Sequence, residues 1–316
     1  MISRRLLRIK VMQVYYANLL RENGDLELAV KELDNSVHHT LELYYELLSI
    51  ITYMADYAEQ KMASALEKKL PTEADLNPNR RFIDNPVIEG IRNADCFKKQ
   101  TKAPRIPFDA HKSLVKDLWK DFISTTEYQR YMIKAEVNLQ DHKEIIAFII
   151  HEYFPENETI DGLVEEYGIY WNDDIGFASS LLEKSIMRFK RPTNDAFLIM
   201  KEYSCESDRR FGKQLLINAM KYDKEFETLI DHHSKNWDVE RIAIIDRIIM
   251  KLAITEFIHL PDVPIKVTIN EYLEISKFYS TEKSNAFING LLDQIVTALK
   301  TEEKINKSTR GLVDNS

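Results

Sequence analysis

The chain has 316 residues, 44% hydrophobic and 30% charged, with 43 basic against 51 acidic side chains and a net charge of -8, the balance of a globular protein long enough for about two domains. It holds only 8 glycines, about a third of ordinary usage, and none are spaced as a dinucleotide- or phosphate-binding loop requires, which argues against Rossmann and P-loop chemistry. Cys96 and Cys205 suggest neither a disulfide framework nor a zinc knuckle, so a reducing, cytoplasmic setting is expected.

Residues 2–22 read as a helix, with Ser3 as N-cap, apolar Leu6, Ile9, Val11, Met12, Val14, Tyr15, Leu19 and Leu20, and Asn23-Gly24 as the stop. No signal peptide is read in this start. On a helical wheel Arg4, Arg8 and Arg5 fall at about 40°, 80° and 140°, one basic arc over the first two turns. One turn later the same arc carries Val11, Met12 and Tyr15 and is apolar. Clustered guanidiniums suit phosphate, because their fork accepts two oxygens at once. Arginine at a helix N-terminus opposes the macrodipole, so helix stability alone does not select it. Ordinary surface arginines are the plain alternative.

A second helical stretch runs from about Leu26 to Leu70, with a break expected near Asn35-Ser36. Five of the nine prolines then fall between 71 and 107, the signature of an irregular connection. Its residues 80–105 carry Arg80, Arg81, Arg92, Lys98, Lys99, Lys102 and Arg105 against Asp84, Glu89 and Asp95. This reads as a solvated linker, with an auxiliary nucleic-acid contact as the alternative. Helical patterns resume over 114–122, 143–153, 177–189, 196–203, 211–233, 239–259, 266–278 and 283–299. No stretch alternates with period two and none reaches the length of a membrane span. The expected fold class is therefore all-α, ending in a polar, frayed tail at 301–316.

Signs of catalysis are weak. His38-His39 and His232-His233 are adjacent pairs whose side chains diverge by about 100° on a helix, so neither pair converges on a metal. A di-iron bundle needs two Glu-x-x-His motifs, and only Glu256 to His259 fits. Asp173-Asp174 beside Trp171 reads as a solvated loop, and no Gly-x-Ser-x-Gly elbow is present. No catalytic residue, metal or cofactor is expected.

Arg4-Arg5-Leu6-Leu7-Arg8 followed by Met12-Gln13-Val14-Tyr15 resembles the opening helix of the NusB family of bacterial transcription antitermination factors. Residues 246–257, Asp-Arg-Ile-Ile-Met-Lys-Leu-Ala-Ile-Thr-Glu-Phe, resemble that family's central helix. The most specific matches are Asp262-Val263-Pro264-Ile265-Lys266-Val267-Thr268-Ile269-Asn270-Glu271 and Phe287-Ile288-Asn289-Gly290-Leu291-Leu292-Asp293, in the family's order and without gaps. The resemblance covers about residues 4–16 and 237–296, with a weaker match back to about Asp208. Residues 1–24 and 206–300 thus read as a NusB-like domain, and 25–205 as a helical insertion containing the proline-rich basic linker at 71–108.

The resemblance implies an all-helical, non-catalytic RNA-binding protein. It would pair with NusE, the ribosomal small-subunit protein that doubles as a transcription factor, and hold boxA-type single-stranded RNA within the transcription elongation complex. Self-association is a further expectation, and a membrane partner is not. Carried over residue by residue, Arg4, Arg5 and Arg8 meet RNA together with Lys266, Lys283, Ser284, Asn285 and Phe287, and Asp246 matches an acidic position that opens the helix facing NusE. Core burial of Phe287 and helix capping by Asp246 are the plain alternatives.

Gly290 is expected to admit a closely packed helix, and Asn270 and Asn289 to make buried hydrogen bonds. Departures from the family are Leu6 or Leu7 in place of a further arginine, Thr255 in place of a tyrosine, and Lys283 where an acid is usual. They bear on RNA sequence preference. The rivals are a helical interaction scaffold with a decayed RNA site and an RNA cytosine methyltransferase. The latter would need strands, glycines and catalytic cysteines that this chain lacks.

Overall fold

A computed structural model describes the chain except for residues 1, 22–23, 103–107, 172, 192–196, 204, 235–241 and 309–316 and the side chains of 108–110 and 282. The described residues are helical and include no strand. No helix among them is long and apolar enough to cross a membrane. In order the helices are α1 (Arg4–Leu19), α2 (Leu26–Leu66), α3 (Glu73–Leu76), α4 (Pro86–Asn93), α5 (Asp95–Gln100), α6 (Phe108–Phe122), α7 (Thr126–Ile133), α8 (Leu139–Phe148), α9 (Glu158–Tyr167), α10 (Ile175–Met187), α11 (Glu206–Lys221), α12 (Asp223–His233), α13 (Ile244–His259), α14 (Ile265–Tyr279) and α15 (Glu282–Thr301). They form two compact units, Met1–Val37 with Tyr203–Ser316, and His38–Glu202.

The first unit is organised around α13. This helix is apolar on all sides, and a helix of that kind belongs inside a bundle; Ile248 to Phe257 are all buried. It packs against α1, α11, α12, α14 and α15. Its polar residues survive burial because each has a partner. Lys251 reaches Asp223 at 2.5 Å and Glu227 at 2.6 Å, Thr255 donates to the Lys251 carbonyl at 2.7 Å, and Glu256 receives Arg8. Ser3 caps α1 by accepting the Leu6 amide at 3.2 Å, at the residue the sequence indicates.

The second unit has its own core. Phe82, Trp119, Phe122, Tyr128 and Tyr153 form an aromatic cluster with ring centroids 5.0 to 6.1 Å apart along its linked pairs. Phe82 and Phe122 are fully buried. A single π-helical stretch, Ile149–Tyr153, continues α8 and buries Ile149 and Ile150. Gly90 on α4 has a steric reason, since a Cβ there would lie 2.6 Å from the Phe189 ring, and so does Gly168, where a Cβ would lie 2.3 Å from Trp171.

Several expectations are corrected. The 71–108 segment is no solvated linker, because its described part forms α3 to α5 and buries Phe82, Ile83, Val87, Ile88, Ile91 and Phe97. Its arginines at 80, 81 and 92 have internal partners: Arg80 binds Glu59 and Asp84, Arg81 donates to the Tyr131 and Met132 carbonyls, and Arg92 meets Asp56, whereas Lys98, Lys99 and Lys102 are exposed. Lys102 is described, but Arg105 lies outside the described residues. No break occurs at Asn35-Ser36, where α2 runs through with Ser36 buried; packing overrides the weak helix propensity of those residues. The 211–233 pattern is two helices parted at Tyr222, and 197–203 is not an α-helix.

Asp174 and Trp171 are buried and not in a solvated loop, with Thr40 donating to Asp174 and the Trp171 indole to the His39 carbonyl at 2.8 Å. The tail does not fray at once. Glu303 turns the chain at φ 56°, and Lys307 donates to the Glu256 and Leu260 carbonyls at 2.8 and 3.0 Å, satisfying the open end of α13. Residues 309–316 lie outside the described residues. Asn270 is exposed. A Cβ at Gly290 would meet nothing within 4 Å, so no helix approaches it closely. Gly290→Ala should therefore stabilise the chain by about 0.5–1 kcal/mol, the helix-propensity difference. Urea unfolding checks this, and a lower midpoint would mean the open space is needed.

Candidate nucleic-acid interface

The first two turns of α1 place their three arginines in three different environments. Arg4 and Arg5 keep 38% and 41% of their side chains exposed, whereas Arg8 keeps 3%. The wheel arc is thus half surface and half core. Arg4 donates through Nε to Asp208 of α11 at 2.9 Å, and its guanidinium lies 5.0 Å from the Phe211 ring centre. Arg5 makes a two-pronged pair with Glu271 of α14, both bonds 2.8 Å. That hydrogen bonding raises the arginine's pKa and, outweighing burial, lowers the carboxyl's.

Arg8 corrects the expectation of a projecting arginine. Its Nε and an Nη donate to the two oxygens of Glu256 at 2.7 and 2.9 Å, with Glu256 fully buried. Tyr272 and Thr268 hydroxyls donate to the same carboxylate at 2.8 and 3.0 Å. Burial works to lower the Arg8 pKa, but the Glu256 charge and hydrogen bonds overcome it and raise the value. Burial, then Glu256, pushes the Tyr272 phenol up, so it stays a donor. Arg8 therefore holds α1 to α13 and α14 from inside.

The exposed arginine edge borders a cleft of about 340 Å³ lined by Arg4, Ser207, Arg210, Phe211, Gln214, His259 and the 260–263 turn. Arg210 is exposed and is absent from the sequence reading, although Arg209-Arg210 directly before Phe211 is the available signal. Burial lowers the His259 pKa, and its ring stacks on Tyr222 at 4.6 Å between centroids. The cleft combines two guanidiniums with amide and hydroxyl groups, a set suited to a phosphate, while the Phe211 ring is buried beneath the Arg4 and Arg8 guanidiniums.

The other expected RNA residues lie on α14 and α15. Lys266 is exposed in the first turn of α14, and Lys283 in the first turn of α15. Ser284 is used in capping: its amide donates to the Thr281 hydroxyl at 3.2 Å, and the two hydroxyls are 2.9 Å apart. Asn285 donates to the Leu273 carbonyl at 2.8 Å and to Ser276 at 2.7 Å, tying α15 to α14. Phe287 is half-buried. Both basic ends are thus braced on α14, at Glu271 and at Ser276, whose side chains point about 140° apart around that helix. Asp246 is 3% exposed and accepts from the Ser280 hydroxyl, so it faces the α14–α15 turn and not the surface. No group of acidic, histidine or cysteine side chains able to hold a metal occurs among the described residues.

A family model described as NusB family matches residues 179–297. Relatives named Transcription antitermination protein NusB include one from Salinibacter ruber, 39% identical over 107 residues, covering 34% of this chain and 67% of the relative. The chain belongs to the NusB family. Similar proteins of the same name occur in Chloroherpeton thalassium, 48% identical over 91 residues (29% of this chain, 43% of the relative), and Myxococcus xanthus, 41% identical over 90 (28% and 64%). The chain thus spans 43% to 67% of the length of these NusB relatives. No solved structure matches it. The NusB match begins within α10 and does not include α1.

The ion pairs of the arginine edge differ in what their removal should do. Arg8→Met should cost about 3–5 kcal/mol by stranding a buried carboxylate, and adding Glu256→Gln should return much of that loss; denaturant unfolding of both variants checks it. Because Arg5 holds the Glu271 pKa down, this pair's stabilisation is complete above the ordinary glutamate range near pH 4.5 and disappears as pH falls through the lowered value. The unfolding midpoint of Glu271→Gln should accordingly fall less steeply than that of the parent between about pH 6 and pH 3; parallel acid slopes would contradict the assignment.

Proposed function

We propose that the chain is a cytoplasmic, non-catalytic transcription antitermination and ribosome-biogenesis factor that holds boxA-type single-stranded RNA together with NusE. The observation that carries this reading is the pair Arg4 and Arg210 on one 340 Å³ cleft with Phe211. In this reading Arg4, Arg5 and Arg210 take phosphates, Lys266 and Lys283 add charge along the same strand, and Phe287 offers a ring. Arg8, Ser284 and Asn285 position the elements that carry these groups. NusE is received by the helices between about 211 and 260, on the faces that α11 and α12 leave exposed, since α13 is buried along most of its length. Asp246 acts there indirectly, by fixing the start of α13.

Asp208 and Glu271 already occupy Arg4 and Arg5, so a phosphate must compete with a carboxylate. With a net charge of -8, no general attraction to RNA helps. RNA affinity is therefore modest alone and rises when RNA and NusE are engaged together, each raising the local concentration of the other. The same two carboxylates support the second reading, a helical interaction scaffold whose RNA site is self-neutralised.

A fluorescence titration of boxA RNA decides between them. Arg4→Ala with Arg5→Ala should weaken binding and reduce the salt slope by about 0.7 for each phosphate that is no longer neutralised, and Glu271→Gln, which releases Arg5, should strengthen it. Unchanged affinity and slope in all variants would leave the scaffold.

A further inference from the structure

The inserted unit holds a slot of about 270 Å³ between α2 and α6, unrelated to the arginine edge. Its walls are Tyr53 and Tyr57, one turn apart on α2 and both half-buried. Its floor is His111 and Val115, one turn apart on α6 and 1% and 3% exposed. The imidazole Nε2 lies 3.2 Å from the Glu46 carboxylate of α2, while Nδ1 is buried with no hydrogen-bond partner. The two ring nitrogens diverge, so with Nε2 drawn to Glu46 the Nδ1 edge turns away from it. The Tyr53 ring is 4.9 Å from the imidazole, centre to centre, tilted by 56°. A buried polar atom left unpaired is costly, and here it belongs to a side chain that lines an aromatic-walled slot.

Charge decides what fits. A cation is disfavoured because Lys61 already lies 5.6 Å from the Tyr57 ring centre and Lys112 lines the slot. An anion is no better served, because Asp56 on the wall offsets Lys112 and a carboxylate, Glu46, already lies 3.2 Å from the imidazole Nε2. The Asp56 charge is itself answered by Arg92. A neutral planar ring stacks on tyrosine without meeting either penalty, and a polar edge completes Nδ1. The volume lies just under the range of about 300–1,000 Å³ usual for larger ligands, which limits the guest to a single ring system.

We propose that this slot binds a neutral planar heteroaromatic ring, of the nucleobase class, stacked against Tyr53 and Tyr57 with its polar edge on His111 Nδ1. The base belongs either to a free nucleoside or to a single-stranded RNA. The site does not rest on the RNA reading of α1, since it shares no residue with it.

The test uses the full chain with nitrogen-15-labelled histidine, following the His111 ring nitrogens during titration with adenosine, guanosine, cytidine and uridine, and with cyclohexanol as a non-aromatic control. At least one nucleoside should shift the His111 signals saturably in the millimolar range. The apparent affinity should drop by about tenfold or more in Tyr57→Ala and stay unchanged in Arg4→Ala with Arg5→Ala. A tetranucleotide arm separates the sources: tighter binding than the nucleoside points to RNA, equal or weaker binding to the free base. No shift with any nucleoside, an equal shift with cyclohexanol, or full retention in a folded Tyr57→Ala would overturn the site. Because Val115→Trp fills the slot from its floor, binding that persists in this variant, with its fold checked by circular dichroism, would count against the proposal in the same way.

Discussion

The first unit depends on one buried carboxylate. Glu256 sits fully enclosed on α13 and takes four hydrogen bonds, two from Arg8 of α1 and one each from Tyr272 and Thr268 of α14. Its backbone carbonyl receives Lys307 from the segment after α15. Taking such a pair out of water is expensive, and an apolar pair of equal volume would often be as stable. What the ion pair adds is direction. Only one register and one rotation of α1 bring the Arg8 fork onto Glu256, and that setting leaves Arg4 and Arg5 at the edge beside Asp208 and Glu271. The exposed cations are placed by the hidden one.

Electrostatics gives the edge a restrained character. Each α1 arginine faces a carboxylate, and Arg247 and Lys251 are likewise held by Glu227 with Asp231 and Asp223 respectively. Arg4 and Arg5 are part-exposed, but Asp208 and Glu271 keep only 12% and 22% of their side chains exposed, so a phosphate that displaces them must offset the cost of leaving a largely buried carboxylate without its partner. Their effect is on selectivity, since a ligand must offer geometry as well as charge. The fork of Arg5 is already aligned by Glu271, which lowers the ordering cost for a bidentate oxyanion that replaces it.

Legibility in the sequence follows the range of the responsible interactions. Ser3 as the α1 cap and the apolar patterns over 239–259 and 266–278 are local signals; the cap and the second helix stand where they point, and α13 begins later, at Ile244. The capping boxes Asn138 to Asp141 and Thr72 to Asp75 are equally local but absent from the sequence reading, which is why α3 is unforeseen and α8 starts earlier than its apolar pattern suggests. Non-local facts are invisible. Nothing near Arg8 announces Glu256, 248 positions away, so the wheel treats a core arginine as a surface one. The close packing expected at Gly290 occurs instead at Gly90, against Phe189, and at Gly168, against Trp171. Pro71 and Pro78 fall outside the helices and Pro86 opens α4, but Phe82, Val87, Ile88 and Ile91 among them are the stronger signal of a buried segment.

The inserted unit obeys the same physics as the bundle it interrupts in sequence. It carries an aromatic core of its own, it spends its basic residues on carbonyls and carboxylates, and a buried histidine in it leans on a buried glutamate as Arg8 leans on Glu256. The difference lies in what remains unsatisfied. Around Glu256 every oxygen is matched, which gives a rigid joint. At His111 one nitrogen is left over beside two half-buried tyrosines. Buried polar networks are stable when complete; Asn18 Oδ1 and Ser179 Oγ are also buried without a hydrogen-bond partner, and what sets His111 apart is that it lines a slot. That contrast distinguishes the structural ion pair at Glu256 from the slot proposed as a binding site between α2 and α6.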